Sequence, residues 1–192
     1  PYNRDTLFCL MSLIMNLPVL ILKAQADRRL KLGHLWIYSN EVDVEKSPLK
    51  AFAMGQQALV TTNSGKPLGI ALVNPNGLIC GRLVSRDEKY PLNKSLLVHR
   101  IKQSLALREM AFAEPYYRLI YGDADLLPGL VVDRFGDYLV VQIAGAGMEL
   151  VKDEIVEALV QVLKPQGVLL ANEHSARSLE GLSEYTEVAY GE

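Results

Sequence analysis

The sequence predicts an α+β protein: a small, partly closed β-barrel, then an α+β unit of hairpin, helix and strand. Three observations predict it. Short apolar runs separated by Asn/Gly/Pro turns fill residues 57–85. The hydrophobic period then changes to that of a helix between Leu92 and Met110. The charge reverses just beyond. Residues 1–113 hold 15 Lys+Arg against 8 Asp+Glu, a balance of +7, and residues 114–192 hold 5 against 14, a balance of −9. The net −2 therefore hides a basic half and an acidic half, which points to a polyanion partner for the basic half alone.

The elements follow in order. Val19–Lys23 reads as an opening strand and Asp27–Gly33 as a short helix, with Asp27 as N-cap and Gly33 as stop. His34–Tyr38 resumes extended structure, and Trp36 taken alone is assigned to the core. Pro48–Gly55 is a loop. Gln57–Thr62, Pro67–Val73 and Leu78–Ser85 form a meander around the turns Asn63–Lys66 and Asn74–Gly77. Leu97, Ile101, Leu105 and Arg108 mark one side of the helix that follows Pro91. Tyr117–Tyr121 and Leu130–Asp133 are strands, and Arg134–Asp137 turns the chain back into Tyr138–Ala144. Met148–Leu163 reads as one helix with the stripe Met148, Val151, Ile155, Leu159 and Val162. Val168–Ala171 and Tyr185–Tyr190 are strands, with a helical turn at Arg177–Leu182 between them.

At 192 residues, nearly half of them apolar, the chain has material for one large domain or two small ones. The apolar run Leu7–Leu22 lacks a small-residue cleavage site, and Asn16 and Pro18 break it, so neither a signal peptide nor a spanning helix is expected. Residues 1–14 read as an upstream extension. The two cysteines, Cys9 and Cys80, show no metal or disulfide spacing and suit buried thiols in a reducing cytoplasm.

Catalytic motifs are sparse. An EF-hand starting at Asp123 would place Gly and Glu where Pro128 and Arg134 stand, so Asp123 and Asp125 are read as turn caps, with Gly129 supplying positive φ. Asp133-Arg134 is read as structural. Gly145-Ala-Gly147 sits between strand and helix, but the third glycine of a dinucleotide fingerprint is Leu150. His34, His99 and His174 are scattered, and neither a GxSxG elbow nor an HExxH pair occurs. The basic half says more. Arg28, Arg29 and Lys31 share one short helix, followed at once by His34, Trp36 and Tyr38, and Arg82 and Arg86 lie on the last barrel strand. Cations for phosphate, with aromatic rings and Arg planes for bases, are the chemistry of RNA binding.

Two blocks carry a resemblance. Lys31-Leu-Gly-His-Leu-Trp-Ile-Tyr-Ser-Asn-Glu41 resembles the start of a PUA domain, a small RNA-binding β-barrel. The stretch Tyr121-Gly-Asp-Ala-Asp-Leu-Leu-Pro-Gly-Leu-Val-Val-Asp-Arg-Phe-Gly-Asp-Tyr-Leu-Val-Val-Gln142 resembles the central domain of S-adenosylmethionine-dependent methyltransferases acting on cytosine C5 of large-subunit ribosomal RNA. The resemblance implies a leader or extension at 1–16, a PUA-like barrel at 17–92, a connecting helix at 93–113 and an α+β central domain at 114–192. It also implies that the C-terminal Rossmann-like domain, with the cofactor site and the nucleophilic cysteine, is missing from this sequence. Neither Cys9 nor Cys80 lies in a Pro-Cys or Thr-Cys dipeptide. In the family's chemistry a thiolate adds to C6 so that C5 can take the methyl group.

The expectation is therefore an RNA-binding, non-catalytic front part of a cytoplasmic ribosomal RNA methyltransferase. No catalytic, cofactor or metal residue is expected in it. S-adenosylmethionine belongs to the intact protein, and ribosomal RNA is the partner. No membrane contact is expected. A homodimer through an apolar face left by the missing domain is a further expectation. Arg28, Arg29, Lys31, His34, Arg82 and Arg86 are the expected RNA contacts. Two alternatives stay open: a stand-alone RNA-binding adaptor, and a small nucleotide-binding enzyme using Gly145–Gly147.

Overall fold

The computed structural model describes residues 17–192. The expected extension and Cys9 lie outside the described residues. The chain divides into two compact units at Pro91/Leu92.

The first unit is a curled five-stranded sheet. Its strands are β1 (Val19–Ile21), β2 (Trp36–Tyr38), β3 (Gln57–Thr61), β4 (Pro67–Val73) and β5 (Ile79–Ser85), in the order β1-β3-β4-β5-β2. The meander β3-β4-β5 is antiparallel, as its two short turns require, while β1 runs parallel to β3. The sheet curls far enough for its two ends to meet at one bridge, Leu22 to Val42. There the Lys23 amide donates to the Glu41 carbonyl at 2.8 Å and the Asp43 amide to the Ile21 carbonyl at 2.9 Å. That is the partly closed barrel the turn spacing predicts, and it leaves little open edge for stray pairing. Leu20, Leu22, Ile37, Val60, Cys80 and Leu83 lie in its core. Ile37 alone of the three β2 residues points inward. Trp36, expected in the core, is 38% exposed. The alternation of a strand sends neighbours to opposite faces, so Ile37 and Trp36 cannot both be core.

The Cys80 thiol is fully buried, and its Sγ lies 3.6 Å from the Ile37 carbonyl it donates to. Burial pushes its pKa up to about 11. In a Cys9→Ser background, Ellman's reagent at neutral pH should find no thiol in the folded protein and one in urea. An unfolded chain releases this proton near its ordinary value of roughly 8.5, whereas the fold retains it. The stability of the first unit should therefore fall as pH rises from about 9 toward the folded value. Labelling of the folded chain at the urea rate would refute the burial.

The second unit contains α2 (Lys94–Ala111) and a five-stranded sheet of β6 (Tyr116–Tyr121), β7 (Leu130–Phe135), β8 (Tyr138–Ile143), β9 (Gly167–Asn172) and β10 (Tyr185–Gly191), in the order β10-β9-β8-β7-β6. Asn93 caps α2 by accepting from the Leu96 amide at 3.0 Å. Leu97, Ile101 and Ser104 are its buried residues. The residues expected as a connector thus form a helix that packs on α4 (Lys152–Leu163) and β6 of this unit. Gly136-Asp137 joins β7 to β8, with Gly136 at φ +63°. β8 and β9 are parallel, joined through α3 (Ala146–Glu149) and α4.

The single helix expected over Met148–Leu163 is two. Val151 stands between α3 and α4 with ψ 24°, away from helical geometry. Its side chain is only half-buried, whereas Met148, Ile155, Ala158 and Leu159 are buried. Breaking there turns the two short helices independently onto the core, an arrangement a single stripe does not encode. Among the described residues no helix is long and apolar enough to cross a membrane.

Candidate nucleic-acid interface

The expected contacts gather where the short helix α1 (Arg28–Lys31) meets β2 and β5. Leu30 is the buried anchor of α1, and Gly33, at φ +107°, ends the turn. Asp27 precedes the helix but makes no side-chain capping bond; its carboxylate pairs with Lys31 instead. That pairing, first through the hydrogen bond from Lys31, holds the Asp27 carboxyl below its usual range.

The cations play different parts. Arg28 and Lys31, three apart, share an exposed side of α1. Arg29 turns the other way. It pairs with Glu41 at 3.2 Å, and its guanidinium lies 4.9 Å from the centre of the Tyr38 ring. Glu41 also accepts from the Tyr38 amide at 2.8 Å, so one carboxylate orients both residues. Arg86 is an anchor. Its two terminal nitrogens donate to the carbonyls of Leu30 at 2.7 Å and His34 at 3.1 Å, which pins the end of α1 to the end of β5. His34 is exposed beside it. Arg82 stands opposite Trp36 in the β5–β2 ladder, its guanidinium 5.7 Å from the indole centre. Among the described residues Arg82 has no carboxylate partner.

The structure thus brings Arg86 against Leu30 and His34, Arg29 onto Tyr38 and Arg82 onto Trp36, while Arg28 and Lys31 lie on the other, exposed side of α1. The sequence reading set Trp36 and Tyr38 beside the basic helix but assigned Trp36, taken alone, to the core, and the structure puts it on this surface. The signal was the alternation Trp36-Ile37-Tyr38, in which one inward residue puts both rings outside.

A family model described as a PUA-like domain matches residues 20–86. The first unit is a PUA-like domain. Over most of its length the chain is homologous to ribosomal RNA large subunit methyltransferase I proteins. It is 32% identical over 169 residues to that of Aliivibrio fischeri (strain MJ11), covering 86% of this chain and 42% of the relative. It is 36% identical over 163 residues to that of Vibrio vulnificus (strain CMCP6), covering 83% and 40%. The chain therefore spans about two fifths of the length of these curated relatives. A solved structure described as a SAM-dependent methyltransferase from Streptococcus mutans superposes with TM-score 0.73 at 22% identity, over 92% of this chain and 44% of that one. Another, the methyltransferase SMU.776 complexed with SAH, gives the same score over 92% and 43%. These two likenesses establish a shared fold.

The second unit offers less for a polyanion. Arg118 holds Asp133 through two bonds, 2.9 and 3.1 Å, and Arg134 donates to the Gly136 carbonyl and the Tyr117 hydroxyl, both at 3.0 Å. Asp133 and Arg134 are therefore structural, each with its own partner rather than with the other. Asp125 is 5% exposed at its side chain. It accepts from Arg108 and from the Tyr121 amide, both at 2.7 Å, and from Ser104 at 3.1 Å. It caps the turn, as its sequence position predicts, and Gly129 stands at φ +82°. An open cavity of about 420 Å³ beside this turn is lined by Tyr121, Asp123, Gln142 and His174 among others, and its lining includes neither Lys nor Arg. Among the described residues no three His, Cys, Asp or Glu side chains stand together as metal ligands.

Gly145 packs against Gly129. A Cβ on Gly129 would come 2.8 Å from the Gly145 nitrogen, so the two backbones touch. The Ala146 amide, which a phosphate would need, lies 3.4 Å from a Glu180 carboxylate oxygen that accepts from it. That turn does not fit a nucleotide phosphate.

Proposed function

We propose that this chain is the RNA-recruiting front part of a cytoplasmic, S-adenosylmethionine-dependent methyltransferase for cytosine C5 of large-subunit ribosomal RNA. The PUA-like domain is its phosphate-binding module. The observation that carries this reading is the exposed pair Arg28 and Lys31 on α1 with exposed His34 close behind, on a helix whose end Arg86 fixes to β5. Phosphate contacts of this kind position an RNA without reading its sequence. The homology to ribosomal RNA methyltransferases supports RNA rather than another polyanion as the ligand. A Glu180 carboxylate accepts from the Ala146 amide in the glycine turn between strand and helix, and in this reading methyl transfer is assigned to other parts of such a protein.

Affinity for a large-subunit ribosomal RNA fragment, measured by anisotropy against salt, tests the reading. Each phosphate contact contributes about 0.7 to 0.9 to the slope of log K against log salt. Arg28→Ala with Lys31→Ala should therefore flatten that slope by roughly 1.5 and weaken binding. Unchanged affinity and slope in this double variant would remove the interface.

A further inference from the structure

We propose that β2 presents a two-step stacking platform for unpaired RNA bases, built from Trp36 with Arg82 and Tyr38 with Arg29. The proposal rests on the RNA reading above and assigns a separate role within it. The rings and the two guanidiniums read bases, while Arg28 and Lys31 hold phosphate.

The geometry has four parts. Trp36 and Tyr38 are two apart on β2 with Ile37 buried between them, which puts both on the outer side of the strand, and the pairing with β5 shifts register between Ile37 and Tyr38. A strand rises about 3.3 Å per residue, which sets the two Cα atoms roughly 6.6 Å apart along it. Each ring is backed by a guanidinium, Arg82 at 5.7 Å from the indole centre and Arg29 at 4.9 Å from the phenol centre. Arg29 is held from outside its pair by the ion pair with Glu41, and Arg82 stands opposite Trp36 in the ladder.

An indole left 38% exposed on an outer strand contributes little to the core beside it. A cation stacked on it without a carboxylate partner favours an anionic, π-faced ligand over an apolar one. An unpaired nucleotide has both properties, a neutral base with a π-face and an anionic phosphate next to it, and such bases stack on aromatic rings and on Arg planes alike. The groups stacked on the rings are the cations Arg82 and Arg29, which suit a nucleotide better than a protein partner even with Ile79 opposite Tyr38 and exposed Leu78 beside it.

Trp36 is the single tryptophan of the chain, so its emission reports this site alone. The full chain is titrated with a single-stranded oligoadenylate and with an abasic oligomer of equal phosphate number. Binding is followed independently by anisotropy. Oligoadenylate should quench Trp36, and the abasic oligomer should leave it unchanged. Base stacking is worth about 1–3 kcal/mol per base, so Trp36→Ala should weaken oligoadenylate binding about tenfold with the salt slope intact. Arg82→Lys keeps the charge but loses the plane. It should weaken binding in the same direction, and it serves as the second variant should Trp36→Ala fail to fold. Oligoadenylate that binds with the full salt slope but leaves the emission unchanged, with Arg82→Lys at parental affinity, would overturn the platform and spare the phosphate reading. Absence of any RNA binding would overturn both.

Discussion

Replacing Arg177 by Met should cost the second unit about 3–5 kcal/mol, the loss typical of breaking a buried ion pair. Arg177 is 1% exposed, on the short helix α5 (Ala176–Leu179). Its Nη1 donates to the Ile143 carbonyl and to Glu149 at 2.9 Å, and its Nε donates to the Ser183 carbonyl at 2.7 Å. Its guanidinium lies 4.9 Å from the centre of the Tyr185 ring, and the Tyr185 hydroxyl donates to the other Glu149 oxygen at 2.8 Å. One side chain therefore ties the end of β8, the end of α3 and the approach to β10 together. Met fills the space but leaves the Ile143 carbonyl and the Glu149 carboxylate without their donor, and an unmade buried bond costs more than a made one gains. Urea unfolding followed by far-UV circular dichroism measures the loss. Glu149→Gln should also destabilise, because it leaves the buried guanidinium without its counter-charge. The double variant should lose less than the two singles together, since they break one network. The same network sets a pH limit. Burial, and then Glu149, raises the Tyr185 phenol above its usual 10.0. The fold keeps that proton where the unfolded chain loses it, so this contribution to stability disappears as pH rises past about 10. An Arg177→Met protein as stable as the parent would show the network to be ornamental.

The second large effect belongs to Gly69. Its φ is +136°, and a Cβ there would fall 2.1 Å from the Ser85 carbonyl oxygen and 2.9 Å from the Arg86 Cα. Both obstacles are backbone, so no side-chain rotation relieves them. Gly69→Ala combines a backbone conformation that costs about 1–3 kcal/mol for other residues with overpacking of about the same size. A loss of roughly 3 kcal/mol or more from the first unit is expected. The shift has a direction as well as a size. Moving Ser85 moves Arg86, whose donors hold the Leu30 and His34 carbonyls, so α1 should loosen with it. Unfolding followed by Trp36 emission reads the stability. Affinity for the ribosomal RNA fragment should fall under conditions where the variant remains folded. A variant that unfolds with the parent would mean that β4 and β5 can separate freely at this point, against their close approach.

Much of this was legible beforehand because it is local. The turns Asn63–Lys66 and Asn74–Gly77 sit where the chain reverses, and the joint at Gly136-Asp137 is where its glycine signals it. Asp125 caps its turn because a short carboxylate reaches the amide four residues back, a bond sequence proximity alone allows. The methyltransferase resemblance was carried by the same local material, a long run of turn and strand residues around that cap.

What the amino-acid order decided by itself is the list of strands and helices, the basic and acidic halves, and the glycines that turn the chain. Periods of 2 and 3.6 residues and positive φ are properties of neighbouring residues, so a linear string contains them. Only the tertiary structure decided that Trp36 faces outward beside Arg82, that Arg86 is an anchor rather than a free cation, and that the helix breaks at Val151. It also decided that the acidic half buries Arg177. Its partners stand 28 and 34 residues away in sequence, at Glu149 and Ile143. Contacts at such separations depend on how strands and helices pack in space, and no spacing rule along the chain records that packing.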